Sequence, residues 1–254
     1  MKAMLVDTTL CIGCMACVEA CKKINKLPQG DEYRLSSKTY TTIKEVNGIF
    51  VRKLCMHCSN PSCASVCPVG ALHKTEAGPV VYDEEKCIGC RYCMVACPFS
   101  IPKYEWENPL PRIRKCIFCA EKVARGEQTA CTDACPTGAT EFGERDYLLN
   151  EAKSRIRGEP KKYVNHIYGE EEVGGTSVIF LASAPFSSLG FRTDLAKHPM
   201  PMLTWNVLSM IPDIVIMGGV VMGGIWWITN RRNEVRVQEA LEREKRLKEK
   251  NKGN

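Results

Sequence analysis

Alternation of apolar and polar side chains is clearest between Thr39 and Lys53. TYTTIKEVNGIFVRK alternates well enough to predict a β-hairpin around Asn47-Gly48. GPVVYD, residues 78–83, reads as a short strand, and ERDYLLNEAKSRIR, residues 144–157, reads as a helix. Further on, HIYGEEEVGGTSVIFLASAPF places Gly174-Gly175 as a turn before an apolar strand. Residues 98–111 hold four prolines with little periodicity and are expected to be a loop. Short helices are expected after the runs of closely spaced cysteines.

The strongest apolar signal lies near the C-terminal end. VLSMIPDIVIMGGVVMGGIWWI, residues 207–228, carries a single charge, Asp213. At about 1.5 Å per residue such a helix spans roughly 30 Å of hydrocarbon. A buried core helix is the alternative, to which Pro212 and Asp213 lend some weight. Trp226 and Trp227 at an interfacial level, then Arg231 and Arg232, favour a transmembrane helix over residues 203–229. A helix-prone tail rich in Glu, Lys and Arg, residues 230–254, follows. It is expected to be solvated and, by the positive-inside rule, cytoplasmic, with the body on the periplasmic, extracytoplasmic side.

Charge adds to this orientation. The formal net charge is +6, and nine Lys/Arg against five Glu place +4 of it after residue 230. The body has no basic stripe interleaved with aromatics, so nucleic acid is a poor partner. MKAMLVDTTLC has no apolar segment of the kind a signal peptide needs.

The 16 cysteines change the picture most. They fall into four groups with none left over: Cys11, Cys14, Cys17 and Cys21; Cys55, Cys58, Cys63 and Cys67; Cys87, Cys90, Cys93 and Cys97; Cys116, Cys119, Cys131 and Cys135. Each opens with CxxC and closes with CxxxC, and three end in Cys-Pro at Pro68, Pro98 and Pro136. Disulfides make a poor framework at such tight spacing. Zinc accounts for paired CxxC units but not for the CxxxC half. The third group, CIGCRYCMVACP, follows the C-x2-C-x2-C-x3-C-P run of bacterial ferredoxins. Three thiolates on a tight loop wrap three corners of a cubane. The fourth cysteine, one turn on, ligates a neighbouring cluster in two-cluster ferredoxins, so groups must pair.

Four groups therefore predict four 4Fe-4S clusters and no 3Fe-4S variant. Gly13 and Gly89, inside CIGC, would let backbone N–H groups approach sulfur. With few large apolar residues, the clusters are expected to act as core and the apo-protein to fold poorly. Each cluster with its thiolates adds about −2, so the loaded body is expected to carry about −6.

MLVDTTLCIGCMACVEAC, CMHCSNPSCASVCPVGAL, CRYCMVACPFSIPKYEWENP and IYGEEEVGGTSVIFL resemble the four-cluster iron-sulfur subunits of membrane-bound oxidoreductases. The resemblance covers about residues 4–228. It is closest to the iron-sulfur subunit of quinone-linked uptake NiFe-hydrogenase, and the last stretch also resembles the β subunit of respiratory formate dehydrogenase. It implies an α+β fold of two nested ferredoxin-like units over residues 1–200, with loop insertions, a C-terminal extension at about 144–200, and one transmembrane helix. Groups one and four would form the outer unit, and groups two and three the inner. Cluster A would then take Cys11, Cys14, Cys17 and Cys135; cluster B Cys116, Cys119, Cys131 and Cys21; cluster C Cys55, Cys58, Cys63 and Cys97; cluster D Cys87, Cys90, Cys93 and Cys67.

The implied role is a non-catalytic electron-transfer subunit. Its partners would be NiFe-hydrogenase subunits or a molybdopterin subunit on one side, and an integral quinone-binding or cytochrome b subunit and the lipid bilayer on the other. A redox-sensing or anchoring module is the alternative of another class. Hydrogenase-type relatives often carry a twin-arginine leader and this chain shows none, so the expectation is a leader already removed or export alongside a signal-bearing partner. Beyond the cysteines, His57 is a candidate for tuning a cluster. Tyr92, Phe99 and Phe118 are expected to shield ligands. His166 and His198 are candidates for approaching a membrane-side haem, and Asp213 for facing a partner. Gly219 and Gly223, flanked by Gly218 and Gly224, form a small face for helix packing.

Overall fold

The computed structural model describes residues 1–30 and 33–252; residues 31–32 of the insertion between the first two groups, and 253–254 of the tail, lie outside the described residues. Two compact units divide the chain, one over Met1–Met202 and one over Leu203–Asn254.

The first unit is α+β. Its elements run β1 (Lys2–Asp7), α1 (Ala16–Ile24), β2 (Thr42–Val46), β3 (Ile49–Lys53), α2 (Ser62–Ser65), β4 (Leu72–Lys74), β5 (Val80–Tyr82), α3 (Tyr92–Ala96), β6 (Lys103–Tyr104), β7 (Ile113–Arg114), α4 (Ala120–Ala124), α5 (Ala130–Asp133), β8 (Thr140–Glu144), α6 (Arg145–Gly158) and β9 (Val178–Leu181). A three-stranded sheet in the order β8-β1-β9 is flanked by hairpins β2-β3, β4-β5 and β6-β7. β1 pairs antiparallel with β8, opposing Met4 to Phe142, and parallel with β9, opposing Met4 to Val178.

Alternation along β1 divides the core. Ala3 and Leu5 pack with Ile179 and Leu181 against Leu148, Leu149, Ala152 and Ile156 of α6. Met4 and Val6 point the other way and pack with Val178 and Phe180 against Cys17, Phe118 and Cys131. The sheet therefore separates a wholly apolar layer from the cysteine motifs. The body has an apolar core of its own beyond any cluster, supplied largely by the 144–200 extension. The inner motifs have less: their core is Cys63, Leu72, Val80, Cys93 and Ile113.

The predicted hairpin turns at Asn47 and Gly48, whose φ values of 53° and 75° match the mirror-image turn that suits strand twist. The proline-rich stretch after Pro98 is not loop throughout, since Lys103–Tyr104 pairs with Ile113–Arg114.

In the second unit α7 (Met202–Leu208) precedes α8 (Ile211–Lys252), which carries the apolar run and the charged segment as one helix. Pro212 sits in the first turn of α8, where its missing N–H interrupts no helical bond. Among the described residues this is the one helix long and apolar enough to cross a membrane, and none of the apolar window is buried within the chain.

Candidate metal centre

Each CxxC is a loop in which the residue before the second cysteine turns left-handed. That residue has φ of 71° at Gly13, 48° at His57, 69° at Gly89 and 60° at Phe118. The turn aims an amide at sulfur: Gly89 N–H donates to Cys87 Sγ at 3.4 Å, and Phe118 N–H to Cys116 Sγ at 3.4 Å. Gly13 N–H likewise bonds Cys11. Such bonds favour negative charge on sulfur.

The thiols gather across motifs as well as within them. Cys11 is in electrostatic reach of Cys135 and Cys14, and Cys17 of Cys131, Cys11 and Cys135. Cys21 faces Cys131 and Cys119, and Cys116 faces Cys21 and Cys131. Cys58 and Cys63 both lie near Cys55 and Cys97. Cys93 has Cys90, Cys87 and Cys67 for neighbours, and these four line one shallow cavity with Leu72 and Ile113. Between the two halves, Cys116 reaches Cys55. Cys14 and Cys90 are the exposed thiols.

Burial dominates the electrostatics of most of these groups. It pushes the thiols of Cys21 and Cys63 up to about 12 and that of Cys93 to about 11, with neighbouring cysteines adding to the rise. Such thiols become thiolates only when a cation sits on them, which is what iron supplies. Cys131, Cys135 and Cys87 go the other way. Burial raises each and is the largest single influence, but several lowering influences together outweigh it: the Arg52 charge with a Thr129 hydrogen bond at Cys131, the Thr137 side chain with backbone amides at Cys135, and Tyr82 with backbone amides at Cys87.

The donor set fits cubane clusters better than the two rivals. All 16 cysteines are free thiols, so the chain is not stapled by disulfides. Among the described residues no three His, Cys, Asp or Glu side chains converge enough to hold one metal ion. Four thiolates on a single zinc, at about 2.3 Å each, would crowd within about 4 Å of one another. Here the thiols are in mutual electrostatic reach without converging on one point.

The other candidates divide. Phe118 is 1% exposed and packs against His57 with the rings tilted at 53° and their centroids 4.7 Å apart. His57 is fully buried; its Nδ1 accepts from Val80 N–H, while Nε2 has no partner. Phe99 is half-buried beside Tyr168. Tyr92 corrects the expectation: it is 62% exposed, because α3 turns Cys93 inward and carries its neighbour outward. His166 is engaged by Glu172 at 2.8 Å and packs edge-on to Phe186, whereas His198 is exposed. Asp213 and the four glycines of α8 are exposed within their unit. Arg52, which the hairpin pattern marks only as a polar position, is buried beside Cys131.

Comparison with known proteins agrees with this donor set. Profiles of the 4Fe-4S dicluster domain match residues 10–71 and 46–145. The hydrogenase-2 operon protein HybA of Escherichia coli O157:H7 is 40% identical over 86% of this chain and 83% of its own length. The iron-sulfur subunit of nitrate-inducible formate dehydrogenase of Escherichia coli K12 is 35% identical over 70% of this chain and 67% of its own. The thiosulfate reductase electron transfer subunit PhsB of Salmonella typhi is 42% identical over 56% of this chain and 76% of its own. With four ligand groups, two dicluster matches and relatives of this kind, the chain belongs to the 4Fe-4S dicluster family and is an electron-transfer subunit of an oxidoreductase complex, carrying four 4Fe-4S clusters.

Proposed function

We propose that the chain relays single electrons between a NiFe-hydrogenase and an integral quinone-binding or cytochrome b subunit. The match to HybA carries the hydrogenase assignment, since it spans 86% of this chain against 70% for the formate dehydrogenase subunit. A molybdoenzyme donor is the second reading, favoured by that same 35% identity and by PhsB at 42%. Bound 4Fe-4S clusters supply one-electron carriers; the polypeptide fixes their order, their access and their surroundings.

The proposed ligand sets are Cys11, Cys14, Cys17 and Cys135 (A); Cys21, Cys116, Cys119 and Cys131 (B); Cys55, Cys58, Cys63 and Cys97 (C); and Cys67, Cys87, Cys90 and Cys93 (D). Support comes from the thiol neighbourhoods, above all Cys11 with Cys135 and Cys21 with Cys131. The electrostatic reach of Cys116 to Cys55 supports B beside C and an order A-B-C-D. Exposed Cys14 and Cys90 then fall at opposite ends, where donor and acceptor proteins would approach. The body would lie outside the cytoplasm with α8 crossing the bilayer and its basic end inside. This is supported by Trp226 and Trp227 followed by Arg231 and Arg232.

Spectroscopy of serine variants tests the pairing. Cys17→Ser and Cys135→Ser are expected to disturb the same EPR signal, and Cys21→Ser and Cys131→Ser a second one. If Cys131→Ser and Cys135→Ser, four residues apart, disturb one signal together, the crossed pairing is wrong. Hydrogen-dependent against formate-dependent quinone reduction by the purified complex separates the two donors.

A further inference from the structure

We propose that Arg52 is the fixed counter-ion of the outer pair, sites A and B, and a positioning residue that holds the midpoint potential of site B above what its ligands alone would give. The inference rests on the ligand sets proposed above. Arg52 lies on β3, two residues after Phe50, so both side chains leave the same face of the strand. Phe50 packs against the first motif, since a Cβ on Gly13 would lie 2.6 Å from its ring. That face of the hairpin is therefore applied to the outer cysteines.

The guanidinium is 2% exposed. Nε donates to Thr41 Oγ1 at 3.0 Å, and Nη1 to Thr140 Oγ1 at 3.2 Å and to Met4 Sδ at 3.6 Å. None of these partners carries charge. Among the described residues no carboxylate pairs with Arg52, although a buried guanidinium needs a counter-charge to be stable. The groups left to supply it are sulfurs: Met4, which accepts from Nη1, packs in one cluster with Cys17 and Cys131, and Arg52 has Cys131, Cys17 and Cys116 in electrostatic reach. Its three neutral acceptors hold the planar fork in place, so the positive charge does not move as the site changes charge.

The consequence follows from charge alone. Taking up one electron makes a cluster and its thiolates more negative by one unit. A fixed cation in a low-dielectric surround favours that form, so the midpoint rises. Sites C and D have other cations: at C, Lys115 Nζ donates to the carbonyls of Val80 and Cys116, close to Cys63 and Cys97, and at D Arg112 is in electrostatic reach of Cys87. The hairpin that interrupts the first two motifs thus acquires a role, delivering one charge to the outer pair.

The test is a potentiometric EPR titration of the full chain, loaded anaerobically and titrated with dithionite, alongside iron analysis. Wild type is expected to hold about 16 irons; a lower count refutes the four-cluster reading independently of Arg52. Arg52→Gln is expected to shift one signal, the one disturbed by Cys131→Ser, to a more negative midpoint, with a smaller shift in the Cys17-linked signal and the other two unmoved. Arg52→Lys, which keeps the charge, is expected to restore most of the shift. Should Arg52→Gln lose the outer pair and retain about 8 irons while Arg52→Lys keeps all four clusters, the counter-ion role stands. Four loaded clusters with unchanged midpoints in Arg52→Gln would overturn it. Equal loss of clusters in both variants would also overturn it, because charge would then not be the property that matters.

Discussion

At the residue scale, the CxxC loops share a conformation but not a residue. The left-handed position is Gly13 and Gly89 in two loops and His57 and Phe118 in the others. Left-handed backbone costs a residue with a Cβ about 1–2 kcal/mol. His57 and Phe118 offset that cost by packing their rings against one another while buried, and the His57 ring also accepts the Val80 amide. Gly13 has no such compensation available, because Phe50 occupies the space. Gly13→Ala is accordingly expected to lower iron occupancy at the site of Cys11, Cys14 and Cys17, with thermal stability reduced by about 1–2 kcal/mol from the backbone alone and further by the contact with Phe50. Gly89→Ala should be milder, its nearest obstacle being Pro111 O at 3.0 Å. Iron analysis and the melting of the visible cluster absorbance measure both, and equal tolerance of the two would show that Phe50 is not the obstacle.

At the scale of elements, the outer and inner motifs stand on different foundations. The outer motifs rest on the β8-β1-β9 sheet, backed by α6 and a layer with no cysteine in it. The inner motifs surround a small core in which two of five buried residues are proposed ligands. Anaerobic iron chelation is therefore expected to expose the amides of β4, β5 and α3 to hydrogen exchange well before those of β1 and β9. Simultaneous loss of protection in both regions would show that the sheet too depends on iron. This division was only partly legible in the sequence. Cysteine spacing is local, so the ligand groups stand out at once, as do the Asn47-Gly48 turn and the α6 pattern. The pairing of β1 with β9, about 170 residues later, leaves no local trace. Neither does the ring contact between His57 and Phe118, which offsets their left-handed turns. Arg52 was hidden for another reason: alternation marks it as polar, and polar hairpin positions ordinarily face water. Tyr92 misled because adjacency to a ligand says nothing about which side of a one-turn helix a ring takes.

For the molecule as a whole, α8 poses the remaining problem of what its exposed apolar surface meets. Lipid alone would accept any large apolar side chain. Instead the stretch after Met217 reads Gly218, Gly219, Val220, Val221, Met222, Gly223, Gly224, so four glycines share a narrow zone of the helix. Glycine weakens an isolated helix by roughly 0.5–1 kcal/mol relative to alanine and gains nothing from lipid. Its use in a bilayer is close approach of a second helix backbone, where van der Waals contact and weak bonds replace the hydrophobic drive that lipid removes. Gly219 and Gly223, four residues apart, lie on one face, with open space where their Cβ atoms would be. The double variant Gly219→Leu/Gly223→Leu makes the segment more apolar and more helix-prone, so insertion should persist and the chain should remain in the membrane fraction. What the leucines deny is backbone approach. The expected outcome is normal iron content and membrane retention, together with loss of co-purification with the proposed integral partner and of the proposed electron delivery to quinone. Unchanged co-purification would place the partner on the cluster body rather than on the helix, and loss from the membrane fraction would mean that the glycines serve anchoring itself.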